Sequence, residues 1–337
     1  MSKKTLAIVR KVFAFVGTVA IVLSLLSVQP VSANSGPISN YRLTTDKIIN
    51  CFDRMPTKGK EEKIKFLGVN DLLATHFQGY AKYGSTVILS RNDAGFPGRI
   101  ISGTRDGLKN ETIPTTEINS HPGGFQTIGN YLLTPIEVKA GTVIAMYEII
   151  NGRLYRKDFK MTINGFKAGA LGITQYDSGG VSYYLMVLVS GKSYRVYRAA
   201  AQTGSGASSR YIRLEEAEFY LVGSNSTSSF PDFQGIGLVT STDNKIYIIG
   251  PHAVNNLLSM VDYVYLMELN TKTWQVTQLR KKHVTCQGGG ILRAGAVSFR
   301  YGTGVQIFSN GFEIYASERN RMSANGDIMT NYFTARF

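Results

Sequence analysis

The sequence predicts an all-β fold, a β-propeller of five blades with four antiparallel strands each, and three observations lead to it. A short pattern occurs five times, in which an aromatic or apolar residue precedes Gln, Lys or Arg, and small residues then alternate with apolar ones. About four strand-like runs follow each copy. No segment longer than about ten residues keeps a helical period well. Strand-only repeats with a spacing of 40 to 70 residues are typical of propeller blades. The copies begin at Phe77-Gln78, Phe125-Gln126, Phe166-Lys167, Phe233-Gln234 and Leu292-Arg293.

The predicted strands are apolar runs bounded by Gly, Asn, Asp and Ser. They lie at 77–83, 86–90, 99–103 and 112–118 in the first unit, and at 125–128, 131–137, 142–149 and 154–163 in the second. The third unit offers 169–175, 182–189, 193–199 and 218–222, the fourth 235–241, 245–249, 263–269 and 274–279, and the fifth 294–300, 304–309, 312–317 and 328–335. Asn151-Gly152 and Asn310-Gly311 are hairpin signals between such runs.

Two regions fall outside this pattern. Residues 34–65 form an N-terminal segment with weak signals for short strands at 40–43 and 47–50, and residues 66–337 form the single propeller domain. Residues 254–260 are the best candidate for a short helix in a loop.

The first 33 residues predict an export signal. A basic start precedes an apolar run from Val12 to Val28, and Val31-Ser32-Ala33 has the small residues that a signal peptidase accepts. An uncleaved anchor is the alternative, because this run is near the lower length limit for a membrane span. We expect a secreted or cell-surface protein, with no membrane span after removal of the signal.

Composition limits the partners. The formal net charge is +14, and the basic residues are scattered apart from Arg280-Lys281-Lys282. This charge favours an anionic small molecule or polymer or a glycan as partner, while plain solubility explains it equally well. The sequence has no nucleic-acid motif. It predicts no cofactor and gives no sign of oligomerisation, so we expect a monomer.

Cys51 and Cys286 are the only cysteines. They lie near the two ends of the predicted ring, and an exported protein can hold a disulfide. The sequence therefore predicts that a Cys51–Cys286 bridge could clasp the ring. Two buried free thiols are the alternative.

The polar residues of the repeat predict a ligand site. Inner strands crowd around the channel of a propeller, which accounts for the small residues. If the five copies are equivalent, the polar side chains stand at one height and form a ring suited to an anionic or hydroxyl-rich ligand. A structural seal made of the same side chains is the alternative. The ring would comprise Gln78, Gln126, Lys167, Gln234 and Arg293.

Two histidines are expected at the rim of this ring. His121 opens the segment His-Pro-Gly-Gly-Phe-Gln, and His76 directly precedes the first copy. A histidine beside a diglycine turn would place a titratable donor next to open backbone amides. A capping imidazole in a tight turn is the alternative. Two histidines without a third ligand are weak evidence for a metal, so no metal site is predicted.

The stretch at residues 121–132, His-Pro-Gly-Gly-x-Gln-x-x-Gly-x-Tyr-Leu, resembles a segment of secreted bacterial and fungal proteins with propeller folds and no assigned activity. The resemblance covers a dozen residues well. It implies a propeller and a shared site, and it carries over no catalytic residue.

These observations favour an exported, non-enzymatic protein that binds a ligand, a glycan or an anionic group, at its channel. Arabinanase-like glycosidases also have five blades, so a polysaccharide-acting glycosidase or lyase is the first alternative, and a structural or interaction scaffold is the second. An enzyme needs carboxylates at the channel mouth. Asp71 is the best single candidate, and the other nearby acids are Asp93, Glu137, Glu148 and Asp177. Two or three carboxylates converging there would favour the enzyme.

Overall fold

The strands form five blades arranged around a central channel, as the five repeats predict. The computed structural model describes residues 41–67, 76–92, 95–205, 209–255, 260–288, 296–319 and 327–337. In these residues the chain forms 22 strands and one α-helix. Neighbouring strands within a blade are antiparallel. One parallel contact between two inner strands joins blades I and V into an eight-stranded sheet, and each of the other three sheets is one blade. The protein is a five-bladed β-propeller.

Blades I and II follow each other in the chain. Blade I comprises β2 (His76–Tyr83), β3 (Thr86–Asn92), β4 (Arg99–Thr104) and β5 (Gly107–Thr112). Blade II comprises β6 (His121–Pro122), β7 (Gln126–Ile128), β8 (Tyr131–Val138), β9 (Gly141–Ile150), β10 (Arg153–Arg156) and β11 (Met161–Asn164). Its inner strand is split into β6 and β7, and its outer strand into β10 and β11, so that it keeps a four-strand width. Asn151 and Gly152 both have positive φ angles in the predicted hairpin turn.

Blades III and IV are regular four-stranded sheets. Blade III comprises β12 (Ala170–Ser178), β13 (Val181–Ser190), β14 (Ser193–Ala200) and β15 (Tyr220–Ser226). Blade IV comprises β16 (Gly237–Thr240), β17 (Ile246–Asn255), β18 (Met260–Leu269) and β19 (Val276–Val284). The expected helix at 254–260 is wrong for its described ends, because Asn255 and Met260 are paired across the β17–β18 hairpin.

Blade V takes strands from both ends of the described chain. It comprises β20 (Val297–Phe308), β21 (Gly311–Glu318), β22 (Asp327–Arg336) and, as its outer strand, β1 (Lys60–Lys65). Because β1 pairs with β22 along its whole length, the propeller sheets begin at residue 60, whereas the sequence-based boundary was 66. The reason is the long-range antiparallel pairing of Lys60 with Tyr332 and of Lys65 with Asp327.

The N-terminal segment also passes over part of the end of the channel where the inner strands finish. Helix α1 (Thr45–Arg54) replaces the short strand expected at 47–50, because the Thr44 side chain caps its N-terminus and Asp46 lies in its first turn. Ahead of α1, Arg42 forms an ion pair with Asp177 of β12 at 2.8 Å. Leu43 forms a parallel bridge with Ser241, just beyond β16. The chain therefore crosses blades III and IV at this end, which we call the far end.

The hydrophobic core is divided among the blade interfaces. In the described residues, five buried apolar clusters each join two neighbouring blades. In the cluster between blades IV and V, α1 contributes Ile48 and Phe52. Burial of one such side chain contributes about 1.5–3 kcal/mol, so each interface adds several such increments.

Both cysteines are free thiols, so the expected disulfide is not formed. Cys51 is buried on α1 in the cluster between blades IV and V, and Cys286 packs against the same cluster. The Cys286 thiol instead interacts with the Asp262 carboxylate, and burial is the main cause that raises the pKa of Cys286. The two residues are near one core, but each thiol has its own surroundings.

Some expectations lie outside the described residues. They are the export signal at 1–33, the fifth repeat copy with Arg293, and the candidate acids Asp71 and Asp93. In the part of the chain that the structure describes, no helix has the length and apolar character needed to cross a bilayer.

Candidate functional site at the channel mouth

Backbone contacts between the inner strands define one height in the channel. Gly79 of blade I and Thr303 of blade V form a parallel bridge. Gly124 and Ala170 form the corresponding bridge between blades II and III. Gly235 of blade IV packs against the Thr303 carbonyl. A Cβ at Gly79, Gly124 or Gly235 would collide with another blade, so these glycines allow the close approach.

Each blade has one residue at this height, and three positions earlier in its sequence each blade carries a polar or charged residue. We call this set the mouth ring, and we call this end of the channel, opposite the far end, the mouth. The mouth ring consists of His76, His121, Lys167, Asp232 and Arg300. It has two adjacent histidines, two cations and one carboxylate.

The two histidines of the mouth ring touch each other. Their Nε2 atoms are 3.3 Å apart, so one ring donates a hydrogen bond to the other, and the tautomers decide which. Burial is the main cause that lowers the pKa of His76 to about 4, followed by the charges of His121, Arg319 and Arg300. Burial also lowers the pKa of His121. The pair is therefore unprotonated at neutral pH, and one of its ring nitrogens is able to accept a proton.

Glu137 lies directly behind this pair. It is on β8, paired in register with His121, and its carboxylate lies 4.0 Å from His121 Nδ1. Burial raises the pKa of Glu137, the positive charge of Lys167 opposes the rise, and the negative charge of Asp232 adds to it. Because their charges act on Glu137, Lys167 and Asp232 lie near it, and the mouth therefore holds two carboxylates and a cation. Glu137 is thereby a candidate proton donor.

Asp232 of blade IV and Arg300 of blade V complete the mouth ring. The Arg300 guanidinium lies 3.6 Å from the Asp232 carboxylate, and both side chains are 40–45% exposed. The Asp232 carbonyl also contacts Nδ1 of His252 at 2.9 Å. Burial lowers the pKa of His252, which keeps this second-strand histidine neutral. The ion pair is accessible to a ligand.

A cavity of about 690 Å³ opens beside the mouth ring. His121, Glu137 and Lys167 line it together with Val138 and Ile118. The lining combines donors, acceptors and apolar side chains, as glycan and other polar-ligand sites do. Among the described residues no three His, Cys, Asp or Glu side chains are grouped closely enough to hold a metal ion.

The residues expected from the sequence divide into two groups. His76, His121 and Lys167 lie at the mouth. Gln126 lies deeper, and three of its hydrogen bonds are to backbone groups, from Ile173 N and Leu238 N to Oε1 and from Nε2 to Leu238 O. Since Ile173 is three residues beyond Ala170, this level is about 10 Å farther along the channel at 3.3 Å per residue.

The single height expected for all five repeat residues is therefore wrong for Lys167 and Gln126. The repeat pattern makes Phe125-Gln126 equivalent to Phe166-Lys167, whereas the blades align Gly124 with Ala170. Gln78 is buried at a bulge in β2, and Gln234 is partly buried just before β16. Contact of these glutamines with a ligand stays a prediction, as does that of Arg293.

The diglycine after His121 does not offer open amides. The Gly123 N–H donates to the Pro135 carbonyl, and the Gly124 N–H donates to the Gly169 carbonyl. These hydrogen bonds lock the split inner strand of blade II to β8 and to blade III. The expected open backbone is thus used for blade contacts.

Sequence reasoning missed Asp232, Arg300 and the role of Glu137. A usable signal was present, since each mouth-ring residue stands three positions before a small residue of the shared height. Asp232-Phe-Gln-Gly repeats His76-Phe-Gln-Gly with one change. Alignment on the final glycine of these two segments would have exposed Asp232.

No family model matches the sequence, and no curated protein matches it. Among solved structures, a β-fructofuranosidase of Bombyx mori has 12% identity and a TM-score of 0.39, over 81% of this chain and 61% of that one. An endo-arabinanase of Bacillus licheniformis has 14% identity and a TM-score of 0.40, over 80% and 96%. A fructofuranosidase of Schwanniomyces occidentalis has 10% identity and a TM-score of 0.43, over 89% and 60%. The chain spans about three fifths of these two fructofuranosidases. With TM-scores below 0.5, these similarities carry no argument about activity or ligand.

Proposed function

We propose that this protein cleaves glycans at the mouth, with Glu137 as the proton donor. The observation that carries the proposal is the open cavity lined by Glu137 and His121, with His76 hydrogen-bonded to His121 and Asp232 near enough for its charge to act on Glu137. Cleavage of a bond between sugars needs one group that protonates the leaving oxygen and a second group that acts as a base or nucleophile. Glu137 has a raised pKa, which suits the donor role.

The position of the site supports the same proposal. The N-terminal segment crosses the far end, where Thr45 hydrogen-bonds Asp243 and Tyr247. The cavity at the mouth is open, so an extended polymer can lie across it. Convergence of two carboxylates is the feature that favours an enzyme over a binding protein or a scaffold.

Release of reducing ends from a panel of neutral and acidic polysaccharides tests the proposal. We expect release from at least one polymer, and a loss of about 10²–10⁴-fold in kcat for Glu137→Gln, the usual range for a general acid. Glu216→Gln is the matched control, because Glu216 is 60% exposed and paired only locally with Arg213. Binding of a polymer without release of reducing ends would contradict the proposal and favour the binding protein.

Export completes the proposed function. A polysaccharide substrate lies outside the cell or at its surface, and the leader at 1–33 has the composition of an export signal. N-terminal sequencing of protein recovered from the culture medium should begin at Asn34. A protein retained in the cytoplasm with its first residues intact would overturn this part.

A further inference from the structure

The mouth carries an excess of positive charge. Lys167 and Arg300 belong to the mouth ring, and the charges of Arg300 and Arg319 both act on His76. Against these three cations stand Asp232 and Glu137, and burial moves Glu137 towards its neutral form. The cavity lining adds one further cation, Lys139, and one further carboxylate, Glu117, so the excess remains. The complementary ligand is an anion, since guanidinium and ammonium groups at a binding site select carboxylates and similar groups.

The two arginines of the mouth differ in their contacts. Asp232 is held by Arg300 at 3.6 Å, whereas the Arg319 guanidinium lies over the Tyr301 ring, 6.0 Å from its centre. Arg319 is also tied to blade I, because the Phe77 N–H donates to its carbonyl. The two arginines thus belong to blade V and stand on the side of the mouth that adjoins His76.

The positive charge at the mouth favours one of the two chemical reactions that cleave a glycan. Hydrolysis passes through an oxocarbenium-like state, and positive charge that develops beside Arg300 and Arg319 is repelled. Elimination next to a carboxylate develops negative charge, and the same cations stabilise it. The neutral histidine pair has a proton-accepting role in the second reaction.

We infer, on the basis of the proposed function, that the substrate is a uronate-bearing glycan and that this protein cleaves it by β-elimination, with the His76–His121 pair as proton acceptor. Arg300 and Arg319 bind the uronate carboxylate. Their charge makes the neighbouring C5–H bond more acidic, because the anion formed on proton loss spreads onto the carboxylate.

Atoms and electrons balance without water or a redox partner. The C5 proton passes to the unprotonated ring nitrogen of the histidine pair, and the C5–H electron pair becomes the C4=C5 double bond. The C4–O4 bond breaks, its electron pair stays on the oxygen, and that oxygen takes a proton from Glu137. The products are a new reducing end and an unsaturated uronate. The proton on the pair then returns to Glu137 through solvent.

The test measures two products in parallel. The full chain is incubated with polygalacturonate, alginate and hyaluronan, and with polygalacturonate whose carboxylates have been reduced to alcohols. Reducing ends report any cleavage, and ultraviolet absorbance of the conjugated C4=C5 bond reports elimination. We expect equal yields of the two on at least one uronate polymer and neither on the reduced polymer.

Variants locate the chemistry. His76→Asn and His121→Asn should each lower kcat by about 10²-fold or more with KM little changed, because they remove the proton acceptor. Arg300→Ala should raise KM for the uronate polymer. His283→Asn and Arg153→Ala are the matched controls, since both side chains are exposed on outer strands. Urea unfolding of each variant excludes loss of fold as the cause.

The outcomes are separable. Reducing ends without ultraviolet absorbance mean hydrolysis, which overturns this inference and leaves the proposed function standing. Cleavage of the carboxyl-reduced polymer at the same rate overturns the uronate preference. Absence of cleavage on every polymer of both panels overturns the proposed function itself, and with it this inference.

Discussion

At the residue scale, the mouth separates acid and base roles by environment. Glu137 and His76 lie within one site, yet burial raises the pKa of Glu137 and lowers the pKa of His76. Burial disfavours the charged form of each group, so the carboxyl keeps its proton to higher pH and the imidazole loses its proton at lower pH. A proton donor therefore lies 4.0 Å from His121, whose ring contacts His76, and this pairing of donor and acceptor is the arrangement that acid–base catalysis needs.

This arrangement predicts the pH dependence of glycan cleavage. The rate should fall at low pH as the pair protonates, and the midpoint of this acid limb should lie near the His76 pKa of about 4. It should fall on the alkaline side as Glu137 loses its proton, above the ordinary carboxyl range because its pKa is raised. Steady-state kinetics across the pH range measures both limbs. The alkaline limb should vanish in Glu137→Gln and persist in Glu216→Gln; an unchanged profile in both would remove Glu137 from the mechanism.

A second prediction concerns acid stability. His76 has a pKa of about 4 in the folded protein against an ordinary value near 6.5, so between these values the unfolded chain binds the extra proton. The unfolding free energy should fall as pH drops through this window and be fully restored above it. Urea unfolding at pH 7 and pH 5 should therefore show a smaller loss for His76→Asn than for the wild type or for the exposed-site control His283→Asn. Equal losses in all three would contradict the buried neutral His76.

The sequence identified three of the five mouth-ring residues. His76 and His121 stood out because histidine is rare here, and Lys167 because it follows a repeated phenylalanine. Asp232 and Arg300 escaped because the alignment of the copies was shifted relative to the spatial one. Spacing along a strand fixes height only when the residues that face each other are known, and the bulge in β2 between Phe77 and Tyr80 breaks simple counting.

At the element scale, the inner strands are held together by a side chain that spans them. Gln126 of β7 is 3% exposed and accepts from the N–H groups of Ile173 on β12 and Leu238 on β16 through one oxygen. Its amide nitrogen donates to the Leu238 carbonyl at 3.0 Å. One side chain thus joins blades II, III and IV inside the channel, in the manner of the structural seal weighed as the alternative role for such residues.

Removal of this side chain should cost stability. Gln126→Ala leaves two buried N–H groups and one carbonyl without their partner, and a single unsatisfied buried group costs about 1–3 kcal/mol. We expect the unfolding free energy to fall by about 2 kcal/mol or more. Gln278→Ala, at an exposed position of β19, should change it by less than about 0.5 kcal/mol. Chemical denaturation compares the two, and equal midpoints would show that Gln126 does not hold the blades together.

Local signals explain which elements could be predicted. Strand runs with Asn-Gly turns were readable, because alternation and turn chemistry are local properties. Helix α1 was not, because its apolar face is short and only Ile48, Cys51 and Phe52 are buried. What stabilises α1 is tertiary: the Lys282 ammonium donates to the carbonyls of Phe52, Asp53 and Met55 at its C-terminus.

At the scale of the whole molecule, the five blades depend on one another through a closed ring. Each core cluster is shared by two blades, so no blade buries its apolar faces alone. Blade V is completed only when β1 returns to β22, a pairing between residues more than 260 positions apart. The repeats predicted the number of blades, because repetition is visible in a sequence. The closing strand was not predictable, because β1 is mostly polar and its partner lies at the other end of the chain.

Closure of the ring predicts that a defect at the closing strand is felt on the opposite side. Ile64 of β1 is fully buried in the cluster between blades V and I, and Ile64→Ala should cost about 2–5 kcal/mol. Trp274, the only tryptophan, lies at the interface of blades III and IV, where its carbonyl accepts from the Tyr194 hydroxyl and its side chain packs on Gly223. Its fluorescence therefore reports unfolding far from the substitution.

If the ring unfolds as one unit, the urea midpoints from tryptophan fluorescence and from far-ultraviolet circular dichroism should coincide and shift together in Ile64→Ala. Ile113→Ala, at a position 54% exposed, should leave both midpoints in place. A shift seen by circular dichroism alone would mean that blades III and IV unfold independently of blade V. In that case the mouth ring, to which all five blades contribute, would lose its blade V residue while blades III and IV stay folded.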